Sequence, residues 1–143
     1  MEATIITEVL GGVKVLRKIV RNRTDLIELG NAGLTKNALL HLAEFLGLSL
    51  SQMSSLLPVT ERTIQRYSRN RQFSQAVSEH ILQIAECAAM GMEVFEDREK
   101  FLAWLNLPNK ALGRKIPLSL LRSRFGIDMV RDELGRIEYG VFS

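Results

Sequence analysis

A chain of 143 residues, 46% hydrophobic and with a net charge of +3, is long enough to bury one core or two small ones. Three prolines, ten glycines and no low-complexity stretch exclude extended disorder. The single cysteine, Cys87, excludes an internal disulfide and fits a reducing compartment. No apolar run approaches the roughly 20 residues that a bilayer-spanning helix needs. The start Met1-Glu2-Ala3-Thr4 lacks the basic region of a signal peptide. These features predict a soluble, cytoplasmic protein.

The predicted elements run as helices throughout. Val13, Leu16, Ile19 and Val20 fall at helical spacing, with Lys14, Arg17, Lys18, Arg21 and Arg23 read as a solvated basic face. A turn of helix beginning at Asp25 is stopped by Gly30-Asn31-Ala32-Gly33. Thr35 caps a helix whose Leu39, Leu42, Ala43 and Leu46 point inward, and Gly47 ends it. Leu50, Met53, Leu56 and Leu57 form the apolar stripe of a short second helix, interrupted by Pro58-Val59. Thr60 caps a third helix running to about Asn70, and Ser74 caps a fourth with Val77, Ile81, Ile84, Ala85 and Ala88 inward. From Gly91 the pattern changes. Phe101, Leu102, Trp104 and Leu105 share a helix face, with Trp104 the expected anchor of this module. Residues 106–113 form a loop, and Pro117 opens a helix with Phe125 on its apolar side, which Gly126 ends. A last helix from about Ile127 dissolves near Gly135-Arg136. The fold expected is all-α, with a helical N-terminal extension over 1–34, a helix-turn-helix unit over 35–90 and a C-terminal module over 91–143.

Charge is unevenly spread along this sequence. Arg62, Arg66, Arg69 and Arg71 face the single acid Glu61 within residues 59–78, whereas six acids oppose three bases over 79–112. A basic segment followed by an acidic one predicts two surfaces with different partners. The helices at 51–57 and 60–69, joined by a tight turn, have the helix-turn-helix arrangement. With Ile64 inward, Arg62 and Arg66 lie about 160° away around the axis and Arg69 about 140° away. Arginine reaches guanine O6 and N7 or neutralises phosphate, glutamine suits adenine, and a capping threonine offers phosphate a hydroxyl. The expected DNA-contacting residues are Thr60, Arg62, Thr63, Gln65, Arg66 and Arg69. A plain solvated face is the alternative for the same row. Recognition by helix-turn-helix units uses paired half-sites, so a homodimer is expected.

No sequence feature favours an enzyme. His41 and His80 stand apart on separate helices, and no HExxH, Walker, Gly-x-Ser-x-Gly or CxxC pattern occurs. Cys87 lies in an alanine-rich stretch and reads as a buried apolar residue. Neither cofactor nor metal is expected.

The C-terminal strings carry a resemblance. Val94-Phe95-Glu96-Asp97, Trp104-Leu105-Asn106-Leu107-Pro108-Asn109-Lys110-Ala111-Leu112-Gly113, Ile116-Pro117-Leu118-Ser119-Leu120-Leu121 and Leu134-Gly135-Arg136-Ile137-Glu138-Tyr139-Gly140-Val141-Phe142 follow in order. Together they resemble the C-terminal domain of the Xre/MbcA/ParS antitoxin family. Gly33-Leu34, Ala38-Leu39 and Arg62-Thr63-Ile64-Gln65-Arg66 look like that family's Xre-type helix-turn-helix. Two positions depart from the pattern: Glu96 stands where the family tends to have glycine, and Arg114 where it has a small residue beside Gly113.

The resemblance implies an antitoxin that binds and blocks an NAD⁺-consuming RES-domain toxin and represses their shared promoter, its extreme C-terminus reaching the toxin's active-site entrance. The residues expected there are Arg136, Glu138, Tyr139, Gly140, Val141, Phe142 and Ser143, with Glu138 or the terminal carboxylate meeting cationic groups of the toxin. Tyr139 and Phe142 packing back on their own domain is the other reading of the tail. Two functional alternatives stand beside the antitoxin: a free-standing repressor without a toxin, and an interaction module with a vestigial helix-turn-helix.

Overall fold

The computed structural model describes residues 2–140, and Met1 and residues 141–143 lie outside the described part. Ten α-helices and one 3₁₀ turn occupy this span, and the described residues contain no strand, only isolated bridges between Thr35 and Gln72 and between Asn109 and Lys115. The all-α class expected from the sequence holds.

One helix organises everything. α7 (Gln75–Phe95) is a 21-residue rod, capped by Ser74, whose side chain accepts from the Val77 N–H at 3.3 Å. Ile81, Ile84, Ala85, Ala88 and Ala89 are buried along it. Before it come α1 (Glu2–Val9), α2 (Val13–Leu16), α3 (Arg23–Ala32), α4 (Lys36–Leu46), α5 (Leu50–Ser54) and α6 (Glu61–Arg66). After it come α8 (Arg98–Leu105), the 3₁₀ turn Lys110–Leu112, α9 (Pro117–Leu120) and α10 (Arg124–Glu138). α1, α3, α8 and α10 all pack on α7.

The N-terminal region differs from the sequence reading. α1 is a helix with Ile6 and Val9 buried, followed by Leu10 without exposed surface. Gly11 and Gly12, at φ +105° and +86°, then turn the chain, a backbone region glycine enters freely. The helix expected over 13–20 is a single turn that stops at Arg17 in a left-handed conformation. α3 does end within the Gly30–Gly33 stretch, but at its second glycine. The helix continues to Ala32, Gly30 packs against the Glu79 and Leu82 side chains of α7, and Gly33 at φ +92° makes the break. Behind that turn the buried Ser78 hydroxyl accepts from the Leu34 N–H at 2.8 Å, which fixes the start of α4 on α7.

The C-terminal region also departs. Gly126 ends no helix: it lies in the first turn of α10, where Ser123 caps by accepting from the Gly126 N–H at 3.1 Å. A Cβ there would sit 1.8 Å from the Leu120 carbonyl oxygen, so only glycine permits this turn. Phe125, expected inward, is 83% exposed, because beginning α10 at Arg124 rotates it away from Ile127, Val130 and Leu134. α10 also runs past Gly135 to Glu138. Trp104 is half-buried; Phe101 fills the core, its ring against the α7 backbone at Gly91 and stacked near Phe95 at 6.1 Å.

Ion pairs tie the regions across α7. The carboxylate of Glu86, buried on α7, accepts from Arg23 of α3 and from Arg131 of α10, the latter at 2.9 Å. Arg98 of α8 donates to the Phe45 and Glu44 carbonyls at 2.8 and 3.1 Å, satisfying orphan groups at the C-terminal end of α4. His80 of α7 bonds the Leu121 carbonyl at 2.9 Å, fastening the turn before α10.

Candidate functional site

The arginine face is built from a very short helix. α6 has six residues, so its position rests on what holds its ends and its inner side. Ile64 is wholly buried; Thr60 accepts from the Thr63 N–H at 3.2 Å at the start. The preceding α5 carries a capping box between Ser49 and Gln52, with Met53 buried beneath it. Arg62 and Arg66 are exposed on the outer side, as their spacing predicts.

Arg69 does not belong to that helix. α6 ends at Arg66, Tyr67 turns to an extended conformation, and residues 67–73 strap back across the N-terminus of α4. The strap is held by the Lys36 ammonium on the Tyr67 carbonyl at 2.9 Å and by the Lys36 and Asn37 N–H groups on Arg71 and Arg69 carbonyls at 3.0 and 2.8 Å. Arg69 donates to the Asn37 side chain at 2.9 Å, and Arg71 lies 4.5 Å over the Tyr67 ring. Gln65 donates to Glu61 at 3.2 Å, and the Thr60 hydroxyl donates to that of Thr63 at 2.9 Å. Thus Arg62 and Arg66 have no partner among the described residues, whereas Arg69, Gln65, Thr60 and Thr63 begin with internal partners. Arg71 and Lys36 join the basic surface without having been singled out, since only the strap brings them there. A cleft of about 460 Å³ beside it is lined by Lys14, Arg17, Asn37, Asn70 and Gln72, so the basic N-terminal positions border the same side.

At the other end, Arg136 is exposed and donates to the buried Glu133 at 3.1 Å. Glu138 is exposed, Tyr139 is 82% exposed and Gly140 has φ +73°. Val141, Phe142 and Ser143 lie outside the described residues. Cys87 is buried, and that burial pushes its thiol up to about 12. Burial, then the neighbouring Glu86 charge, raises the Glu2 carboxyl above its ordinary value.

Two family models match this chain: the antitoxin Xre-like helix-turn-helix domain over residues 25–86 and the antitoxin Xre/MbcA/ParS C-terminal toxin-binding domain over 90–140. The chain belongs to the Xre/MbcA/ParS antitoxin family. Antitoxin Xre of Yersinia enterocolitica is 34% identical over 80 residues, a span covering 55% of this chain and 54%, about half, of that relative. The crystal structure of the Mycobacterium tuberculosis MbcT–MbcA toxin–antitoxin complex contains a chain with the same fold. It has a TM-score of 0.53 and 17% identity, covering 87% of this chain and all of that one. Both departures from the family pattern have a backbone meaning. Glu96 closes α7 at φ +56°, and Arg114 follows Gly113 at φ +65°, both in the left-handed region where glycine is unstrained. Among the described residues no helix is long and apolar enough to cross a membrane.

Proposed function

We propose that this chain is the antitoxin of a toxin–antitoxin pair, blocking an NAD-consuming RES-type toxin through its C-terminal region and repressing its own operon by helix-turn-helix DNA binding. The observation that carries this reading is the placement of the two matched domains on one rod. The exposed Arg62 and Arg66 belong to the first, and the free end of α10, leading to the tail, belongs to the second. Arg62, Arg66 and Arg69, with Thr60, Thr63 and Gln65, contact operator DNA. Arg136 and residues 138–143 contact the toxin, and the protein acts as a cytoplasmic homodimer on paired half-sites.

Two measurements test this. Co-purification with the protein encoded next to it, with and without residues 139–143, is expected to yield a silenced NAD⁺-consuming partner only for the full chain. A partner silenced equally by the truncated chain would refute the role of the tail. Binding to its own promoter is expected to weaken steeply as salt rises, because phosphate contacts release counterions. Specific promoter binding with no partner at all would leave a solitary repressor.

A further inference from the structure

The outward face of α10 is built like a contact surface. Phe125, Met129, Asp132, Arg136 and Tyr139 recur at steps of four, three, four and three, so they fall within about 80° of one another around the axis. Ile127, Val130 and Leu134, all buried, lie on the opposite side. The five are exposed, and Phe125 and Tyr139, at 83% and 82%, are the two most exposed large hydrophobics among the described residues. Asp132 stands at the middle of the stripe with Asp128 beside it, and neither has a hydrogen-bond or ion-pair partner among the described residues. The buried acids Glu86 and Glu133, by contrast, are both paired with arginine.

We infer that this face, extending some 21 Å from Phe125 to Tyr139, is a docking surface for the toxin. α10 lies as a helix in a groove that is apolar at its ends and cationic at its middle. The inference rests on the antitoxin reading above and deepens it, since it moves partner recognition from the tail onto the helix that delivers the tail. The stripe sits within the matched toxin-binding segment and passes without a break into Tyr139 and Gly140. Helix-in-groove recognition uses anchors at this spacing, with bulky aromatics carrying most of the affinity. A second copy of this chain is a poorer occupant. Antiparallel pairing that joins Phe125 to Tyr139 brings Asp128 beside Arg136 but sets Asp132 against its own counterpart at the centre, and parallel pairing sets every like charge together. A cation in the groove instead satisfies both free carboxylates.

The test measures affinity for the purified protein encoded next to this one, using full-length wild type, the double variant Phe125→Ser with Met129→Ser, and Asp132→Lys. Both stripe variants are expected to lose about 30-fold or more, with the melting temperature and promoter binding unchanged. Wild-type affinity in both stripe variants would overturn the docking surface and leave the antitoxin reading standing. No binding by wild type would overturn both. A wild-type dimer made monomeric by the double variant, with toxin affinity intact, would assign the face to a second copy and overturn the inference.

Discussion

The two working helices, α6 and α10, are made in opposite ways. α6 is six residues long and takes its position from one buried isoleucine, a threonine cap and a strap of chain fastened to α4. Its free side chains are long, flexible arginines. α10 is 15 residues long and fixed by three buried aliphatic residues and a glycine wedged against a carbonyl. Its outer face carries an aromatic ring at each end, Phe125 and Tyr139, with Met129, Asp132 and Arg136 between them. A polyanion with repeating charge is met well by mobile cations on a small clamp. A folded partner with a shaped groove requires a stiff helix whose anchors lose little freedom on binding.

The largest effect is expected where rigidity has its source. Gly126→Ala places a methyl into the Leu120 carbonyl and should cost about 3 kcal/mol by displacing the start of α10. Urea unfolding measures this, and an unchanged midpoint would remove the rigid half of the contrast. Next come the arginines. Arg62→Ala and Arg66→Ala should each weaken promoter binding by about 1–3 kcal/mol if they read a base, or lower the salt slope by about 1 if they hold phosphate. Both should leave stability within about 0.5 kcal/mol. Salt titrations of promoter binding on well-folded variants separate these outcomes, and coupled losses of stability and binding would show that the clamp is not independent of its cations.

Smaller effects sharpen the picture at the junctions. Glu96→Gly should raise stability by about 1 kcal/mol, since it relieves a left-handed non-glycine residue at the end of α7. A loss instead would mean that the carboxylate does something the backbone argument omits. The smallest concerns Glu2, whose carboxyl lies near Glu86 and Arg131 where the two halves meet. Its folded pKa is raised from 4.5, so its contribution is present below that pH and is lost as pH rises through the folded value. Glu2→Gln should therefore flatten part of the fall in stability between about pH 4 and pH 7, read from urea midpoints at the two values.

Much of this was legible because it is local. The caps Thr35, Thr60 and Ser74, the terminator Gly47 and the opening Pro117 act within a turn of their own helices, and all stand where the residue types predict. The end of α6 was not, because it is set by Lys36, thirty-one positions away, holding the Tyr67 carbonyl. That same contact is why Arg69 left the helix and why Lys36 joins the basic surface. α1 escaped reading because its Ile6 and Val9 acquire a side to face only once α7 is beside them. Gly126 was misread for a simple reason. Glycine after an apolar run ordinarily ends a helix, and the approach of the Leu120 carbonyl that demands it here is a tertiary fact.

The unbroken course of α7 has a mechanical consequence. Both halves of the molecule grip the same stretch of it, since Gly30 of α3 meets Glu79 and Leu82, His80 holds the Leu121 carbonyl, and Glu86 takes both Arg23 and Arg131, so the rod acts as a shared shaft. Adding or removing one residue would advance the far end by about 1.5 Å and rotate it by about 100°. The arginine face and the α10 stripe are therefore held in a fixed phase. Within residues 75–95 each such step would turn one face relative to the other.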